Sequence, residues 1–79
     1  MEYLRPINVK VGDKIVIDTL VCDDNDLINW LINKGYWENC LRFSDILTVD
    51  KLDEKESNVV WIKDCPYPIF LEDVMLVEK

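Results

Sequence analysis

Three carboxylates, Asp23, Asp24 and Asp26, stand within four residues and are the densest group in the sequence that could bind a cation. Hard divalent cations take oxygen ligands, so a cluster of this kind is a candidate calcium or magnesium site. The segment lacks the alternating acidic positions, the glycine and the distant glutamate of an EF-hand loop. A capping side chain and negative charge both favour the start of a helix. We therefore predict a helix N-terminus at this point and no metal site.

The cysteines are the candidate nucleophiles and soft metal ligands, at positions Cys22, Cys40 and Cys65. Structural zinc is usually held by paired CxxC or HxxxH ligands, and the sequence has neither a CxxC nor a histidine. A catalytic thiolate needs a neighbouring base, but no basic residue directly adjoins a cysteine, and Arg42 lies two positions from Cys40. The odd count and wide spacing disfavour a disulfide framework. We expect reduced, mostly buried thiols, and no catalytic, cofactor-binding or metal-binding residue.

The motifs of the common enzyme classes are missing from the sequence. The chain has two glycines, so it has no glycine-rich phosphate loop, and it has no GxSxG nucleophile motif. Histidine, the usual general base near neutral pH, does not occur. We predict that the protein is not an enzyme and that it works by binding.

Composition limits the kind of partner. The 79 residues include 16 acidic and 9 basic side chains, a formal net charge of −7, which disfavours direct contact with nucleic-acid phosphates. The length fits a single domain, residues 1–79, with a small core, and the 49% hydrophobic content is typical of a globular chain. Neither a basic leader with an apolar run nor a membrane-length apolar stretch occurs. We expect a cytoplasmic protein without a membrane partner.

A helix is the best-defined element that the sequence predicts. Leu27, Ile28 and Leu31 recur at helical spacing after the acidic run. Asp24 is suited to cap the first turn, because its side chain can accept a hydrogen bond from a free backbone N–H. Gly35 is suited to end the helix, because glycine enters the left-handed conformation without steric cost.

Most of the remaining chain is predicted to be β-structure, because it is rich in β-branched residues with alternating patterns. A polar hairpin loop is expected at residues 53–58, and a single helical turn at residues 71–74. The predicted strands are residues 7–20, 46–52, 59–63, 69–70 and 75–77.

This order of elements resembles the small SH3-like barrels. The residues that carry the likeness are the Val-Gly-Asp turn and strand at 11–17, and the segment 71–77. In such barrels a turn of this type opens the first long strand, and a 3₁₀ turn precedes the last strand. The resemblance implies an α+β fold: a small SH3-like β-barrel of about five short strands, with one helix inserted after the first long strand. It implies little about function.

An aromatic cluster follows the acidic run, and two interpretations of it stay open. The tryptophans could belong to the core, as is common in a small domain. They could instead form an exposed aromatic patch rimmed by acids, which is typical of a protein-binding hot spot. In the second interpretation the partner-binding residues are Trp30, Tyr36, Trp37, Asp23, Asp24 and Asp26.

In size, acidity, free cysteines and lack of catalytic motifs, the chain resembles the small host-takeover proteins of lytic bacteriophages. Those proteins bind one host protein and disable it. The resemblance implies an inhibitor that acts in the host cytoplasm by steric occlusion or by disrupting a subunit interface. It also implies a host protein with a basic surface as the partner, because an acidic rim would steer that encounter. The likeness is one of kind, so no residue role is transferred from it.

Two other functions are compatible with the same sequence. An acidic DNA mimic would sequester a nucleic-acid-binding host protein through its long-range field. An accessory or structural barrel would have no inhibitory role. A homodimer is compatible with each of the three functions.

Overall fold

The computed structural model describes residues 2–4, 9–38 and 40–78 and shows an α+β fold. The helix is α1 (Asn25–Lys34), and a 3₁₀ turn spans Leu71–Asp73. The strands are β1 (Glu2–Leu4), β2 (Lys14–Ile17), β3 (Leu47–Leu52), β4 (Val59–Ile62), β5 (Ile69–Phe70) and β6 (Val74–Glu78).

The strands form one antiparallel sheet in the order β1-β6-β2-β3-β4-β5. Ile15 at the centre pairs with Leu76 on one side and with Leu47 on the other. A bulge between Val49 and Lys51 shifts the register of β3 against β4. Within the described residues β1 and β5 are the two edges, and no pairing joins them. The sheet is therefore open, and the expected closed SH3-like barrel is not confirmed.

The helix begins and ends at the predicted residues. The Asp24 carboxylate accepts a hydrogen bond from the Leu27 N–H at 3.2 Å, while Asp24 itself is extended. Gly35 adopts a positive φ of 79°, which residues with a Cβ resist. The N–H groups of residues 35 and 36 donate to carbonyls of the last turn, as in a Schellman ending. Both boundaries are confirmed because the signals that set them are local.

The helix packs on one face of the sheet. Leu27 and Leu31 are buried in the same cluster as Ile15 and Ile17 of β2. Successive side chains of a strand point to opposite faces, so Thr48 between two core residues of β3 is exposed. The other buried members of the core are Cys22, Leu47, Val49, Val60, Ile62, Cys65, Ile69 and Val74.

The first predicted strand is the element that differs most from expectation. Residues 7–20 were expected to be extended, but β2 covers only Lys14–Ile17, and residues 7 and 8 lie outside the described part of the chain. Gly12, with a φ of 94°, turns the chain just before β2. After Ile17 the chain turns away, because the carbonyl of Asp18 accepts hydrogen bonds from the N–H groups of residues 21 and 22. The later strands lie within a residue or so of their predicted bounds.

Candidate functional site

Trp30, in the middle of α1, and Tyr36, just after the helix, form an aromatic pair. The Trp30 ring is half-buried against the core, and its centre lies 5.9 Å from that of Tyr36 at an interplanar angle of 56°. Tyr36 is 39% exposed. The Lys34 ammonium lies 5.8 Å from the centre of the Trp30 ring, within the range of a cation–π contact. Trp30 therefore fits both interpretations of the aromatic cluster. Part of its side chain packs on the core, and part is accessible to solvent.

Trp37 supports a loop instead of projecting from it. Its ring packs half-buried against the core. Its indole N–H donates a hydrogen bond of 2.8 Å to the Leu41 carbonyl, which closes the segment between these residues. Its polar atom is therefore already partnered within the chain.

The predicted acidic residues lie at the other end of the helix. Asp23, Asp24 and Asp26 surround the first turn of α1, whereas Tyr36 and Trp37 follow its last turn. A helix of this length separates its ends by about 15 Å at 1.5 Å per residue. Tyr36 and Trp37 are therefore separated from Asp23 and Asp24 by the length of α1, whereas Trp30 lies in the middle of the helix, one turn after Asp26.

The acidic end is extended by the 3₁₀ turn before β6. Burial raises the pKa of Asp73, and the neighbouring carboxylates of Glu72, Asp23 and Asp24 raise it further. The Cys22 thiol donates a hydrogen bond to Asp73, and this bond lowers the pKa of Asp73. Carboxylates of two elements thus meet at this end of the molecule. Within the described residues no such group has an arrangement that could hold a metal ion.

The cysteines are free in the structure. Cys22 and Cys65 are buried and Cys40 is exposed. Burial raises the pKa of the Cys22 and Cys65 thiols, so both are protonated near neutral pH. A protonated thiol is a poor nucleophile, and these two cysteines act as small core residues.

The polar hairpin loop has internal partners. The Asp53 carboxylate accepts hydrogen bonds from the Glu56 N–H at 2.9 Å, the Lys55 N–H at 3.0 Å and the Trp61 indole N–H at 3.1 Å. The Glu56 N–H contributes most to lowering the pKa of Asp53, followed by Trp61. Asp53 and Trp61 therefore stabilise the β3–β4 hairpin.

An exposed apolar surface that the sequence did not predict lies on two adjoining loops. Leu20 is 76% exposed and Leu41 is 50% exposed, and Val21 beside Leu20 is also exposed. The Thr19 N–H donates to the Arg42 carbonyl at 2.8 Å, and the Thr19 hydroxyl donates to the same carbonyl, with the Leu41 carbonyl 3.3 Å from the hydroxyl oxygen. These bonds hold the two loops together, and we name Leu20, Val21 and Leu41 the two-loop patch.

An ion pair between the buried Asp18 and the exposed Arg42 connects the two loops. Asp18 is 3% exposed, and its carboxylate accepts two hydrogen bonds from the Arg42 guanidinium, at 3.1 and 3.0 Å. The same carboxylate accepts the Leu20 N–H at 3.1 Å. The hydrogen bond to Asp18 raises the pKa of Arg42, which also stacks 4.9 Å from the centre of the Phe43 ring. Asp18 thus orients both loops of the patch.

Leu20 was missed because residues 7–20 were interpreted as one strand, which gave its side chain a place in the sheet, and Val21 follows directly after that predicted strand. One signal could have found them. They are an apolar pair directly before the acidic run of Asp23 and Asp24, and they extend neither the alternation of β2 nor the periodicity of α1.

Comparisons of the chain with protein-family models, with curated proteins and with solved structures found no match. In the described part of the chain, no helix has the length and apolar character needed to cross a membrane. Because no relative indicates a function, we infer one from the two-loop patch and the acids beside it.

Proposed function

We propose that this chain is a non-enzymatic protein-binding module that inhibits one partner protein by occupying part of its surface. The observation that supports this most directly is the two-loop patch. Isolated apolar side chains are common on protein surfaces, but here Leu20, Val21 and Leu41 are grouped on loops that hydrogen bonds hold together. When a partner covers these side chains, the burial of apolar surface contributes about 25 cal/mol per Å² to the free energy of binding.

The charge beside the patch favours a partner with a basic surface. The chain continues from Val21 directly into Asp23 and Asp24, and Glu72 and Asp73 lie electrostatically close to them. Complementary charge accelerates association and helps to exclude wrong partners.

Preorganisation of the patch supports binding as its role. The bidentate contact between Asp18 and Arg42 fixes both loops before a partner arrives. Less conformational freedom is then lost on association, which increases the net affinity for a given contact area.

From the likeness to phage host-takeover proteins we further propose that the chain sterically inhibits a host protein in the host cytoplasm. What supports it is the small size, the net charge of −7 and the absence of histidine.

The SH3-like assignment of the fold is part of the same proposal. The strand order β6-β2-β3-β4-β5, with a 3₁₀ turn before β6, supports a barrel of that type that is open in this chain.

An affinity capture from bacterial lysate with mass spectrometry tests the proposed function. The wild-type chain is compared with Leu20→Ser/Leu41→Ser, and the matched control is Val11→Ser/Leu52→Ser, which changes two exposed apolar residues elsewhere. We expect one protein to be captured by the wild type and the control and lost with the patch variant. Capture that is equal with all three chains would refute the assignment of the surface.

A DNA mimic is the second candidate, and the convergence of carboxylates from α1 and the 3₁₀ turn favours it. A mimic binds mainly through charge, so its complex should weaken steeply with salt and should be displaced by duplex DNA. A complex held by the two-loop patch should keep most of its affinity at high salt. An accessory barrel, the third function, should capture no partner with high affinity.

A further inference from the structure

An open depression of about 240 Å³ lies beside the loop of the β3–β4 hairpin. Its lining includes four apolar residues, Val9, Leu52, Val60 and Leu71, and two acidic ones, Asp53 and Glu56. Val60 is fully buried and belongs to the core, whereas Leu52 is 43% exposed. The floor of the depression is therefore continuous with the hydrophobic core, and part of its apolar wall is open to solvent.

Backbone hydrogen bonds hold the walls of this depression together. The Leu71 N–H donates to the Asn58 carbonyl at 2.8 Å, which connects the 3₁₀ turn to the hairpin. The Gly12 N–H donates to the Val49 carbonyl at 2.9 Å, which holds the segment before β2 against β3. A ligand therefore meets a surface that is already formed, and less conformational freedom is lost on binding.

The lysines of the hairpin face away from this depression. Trp61 follows Val60 in β4, so its side chain lies on the opposite face of the strand pair. The Lys51 ammonium lies 5.6 Å from the centre of the Trp61 ring, and Lys55 lines the surface beside the same ring. Lys10 lies in the segment before β2 and does not line the depression. Among the described residues, the charged ones that line the depression are therefore both acidic.

The local charge and the charge of the whole chain have the same sign here. Hydrogen bonds from the Glu56 N–H and the Trp61 indole lower the pKa of Asp53, so this carboxylate is ionised near neutral pH. Glu56 is exposed, and Glu72 adjoins Leu71 in the 3₁₀ turn. The net charge of −7 attracts a cation to the molecule over a longer range. Both the lining and the overall charge therefore favour a cationic ligand.

We propose that this depression binds a lysine side chain from a basic segment of a protein. The methylene groups of the lysine lie against Leu52 and Leu71, and its ammonium lies at the rim with Asp53 and Glu56. Lysine suits such a surface because its long apolar stem packs on nonpolar groups while its charged end stays hydrated. A nucleic acid or a second copy of this chain is disfavoured, because each brings further negative charge.

This site is separate from the two-loop patch, since no residue of the patch lines it. One side chain in an open depression binds weakly, because an exposed ion pair adds little affinity. The site is therefore measured by titration and not by capture from a lysate. Leu52 can accordingly serve as a control position for the captured partner of the patch and as a test position here.

An NMR titration of the ¹⁵N-labelled chain at pH 6 and low salt tests the proposal. The probe is an end-blocked peptide of serine with three lysines at alternate positions. We expect amide shifts at the residues that line the depression. Replacing each lysine by 2,4-diaminobutyrate keeps the positive charge and shortens the stem by two methylene groups. Binding should then weaken about fivefold, because full burial of one methylene group is worth about fourfold and these are buried in part.

Two pairs of variants separate the local contacts from the general attraction. Glu56→Gln should weaken peptide binding about threefold, because it removes one exposed ion pair. Its matched control is Glu38→Gln in the loop after α1, which should change binding less than about 1.5-fold. Leu52→Ser should weaken binding about threefold, because it removes apolar contact. Its matched control is Leu41→Ser in the two-loop patch, which is similarly exposed and should leave peptide binding unchanged.

Four results would overturn this assignment. The first is an absence of shifts at the depression at millimolar peptide. The second is equal weakening by Glu56→Gln and Glu38→Gln, which would reduce the interaction to long-range attraction. The third is equal affinity of the lysine and diaminobutyrate peptides for the wild-type chain, a comparison that does not depend on the folding of any variant. The fourth is the same amide shifts on concentrating the chain alone, which would make the occupant a second copy. None of these results bears on the captured partner of the two-loop patch.

Discussion

Replacing the helix cap should measurably destabilise the domain. Asp24→Ala removes the hydrogen bond of 3.2 Å from the Leu27 N–H and leaves that donor without its side-chain partner. Loss of such a cap costs about 1 kcal/mol, within a range of about 0.5–2 kcal/mol. The carboxylate also loses its favourable interaction with the helix dipole, about 0.3–1 kcal/mol at an exposed site. Relief of repulsion from Asp23 and Asp73 offsets part of this cost, so we expect a net loss of about 1 kcal/mol.

Asp24→Asn separates the hydrogen bond from the charge. Asparagine caps a helix about as well as aspartate but is neutral, and it ends the repulsion from Asp73. We therefore expect this variant to be as stable as the wild type or slightly more stable. Urea denaturation followed by far-UV circular dichroism measures both variants. A thermal scan should show a decrease of about 4–8 °C in the midpoint for each kcal/mol lost in a domain of this size.

The cap assignment fails under either of two outcomes. If Asp24→Ala leaves the urea midpoint unchanged, the hydrogen bond to Leu27 does not hold the first turn. If Asp24→Asn destabilises as much as Asp24→Ala, the charge is the stabilising feature and the hydrogen bond is not.

Three further predictions concern the end of the helix, the acidic end and the thiols. Gly35→Val should cost more stability than Asp24→Ala in the same urea assay, because a β-branched residue resists a positive φ; an equal or smaller cost contradicts this. Burial raises the pKa of Asp73 in the folded chain above its ordinary value of about 4. The folded protein is therefore most favoured when Asp73 is protonated, and that stability is lost as the pH rises through the pKa of Asp73 in the folded chain. Asp73→Asn stays neutral, so it should be more stable than the wild type at pH 7 and equal to it at pH 3, by urea midpoints. Finally, a thiol reagent should label Cys40 rapidly in the native chain and the two buried cysteines only after denaturation; rapid labelling of all three would contradict their burial.

The helix was predictable because its determinants are local. The cap at Asp24, the apolar spacing and the glycine at position 35 all lie within the segment that they organise. The hairpin of β3 and β4 was predictable for a similar reason, since a polar loop separates two β-branched segments. By contrast, β1 forms by pairing with β6 at the other end of the chain, and no local pattern marks that pairing.

The sequence also predicted an aromatic group and an acidic group, but not their separation. Both lie within 15 positions of one another, so they looked like one surface. The helix places Asp23 and Asp24 before its first turn and Tyr36 and Trp37 after its last turn, with Trp30 between them. The spacing along the chain therefore did not show that Tyr36 and Trp37 lie a helix length away from Asp23 and Asp24.

The two-loop patch was not predictable because its organising contact is non-local. Asp18 and Arg42 are 24 positions apart, and nothing in the pattern around either residue marks them as partners. In the sequence, Arg42 was notable only as a basic neighbour of Cys40. The exposure of Leu20 and Leu41 follows from how that ion pair holds the loops, which only the structure shows.

The affinity of the captured partner for purified patch variants tests the central claim most directly. Leu20→Ala/Leu41→Ala should weaken binding by about 2 kcal/mol or more, the range of hot-spot residues, as measured by isothermal titration calorimetry. Both side chains are largely exposed, so the thermal midpoint of the variant should stay close to that of the wild type. The control Val11→Ala/Leu52→Ala should bind like the wild type. An unchanged affinity for the patch variant, or an equal loss in the control, would contradict a protein-binding function centred on the two-loop patch.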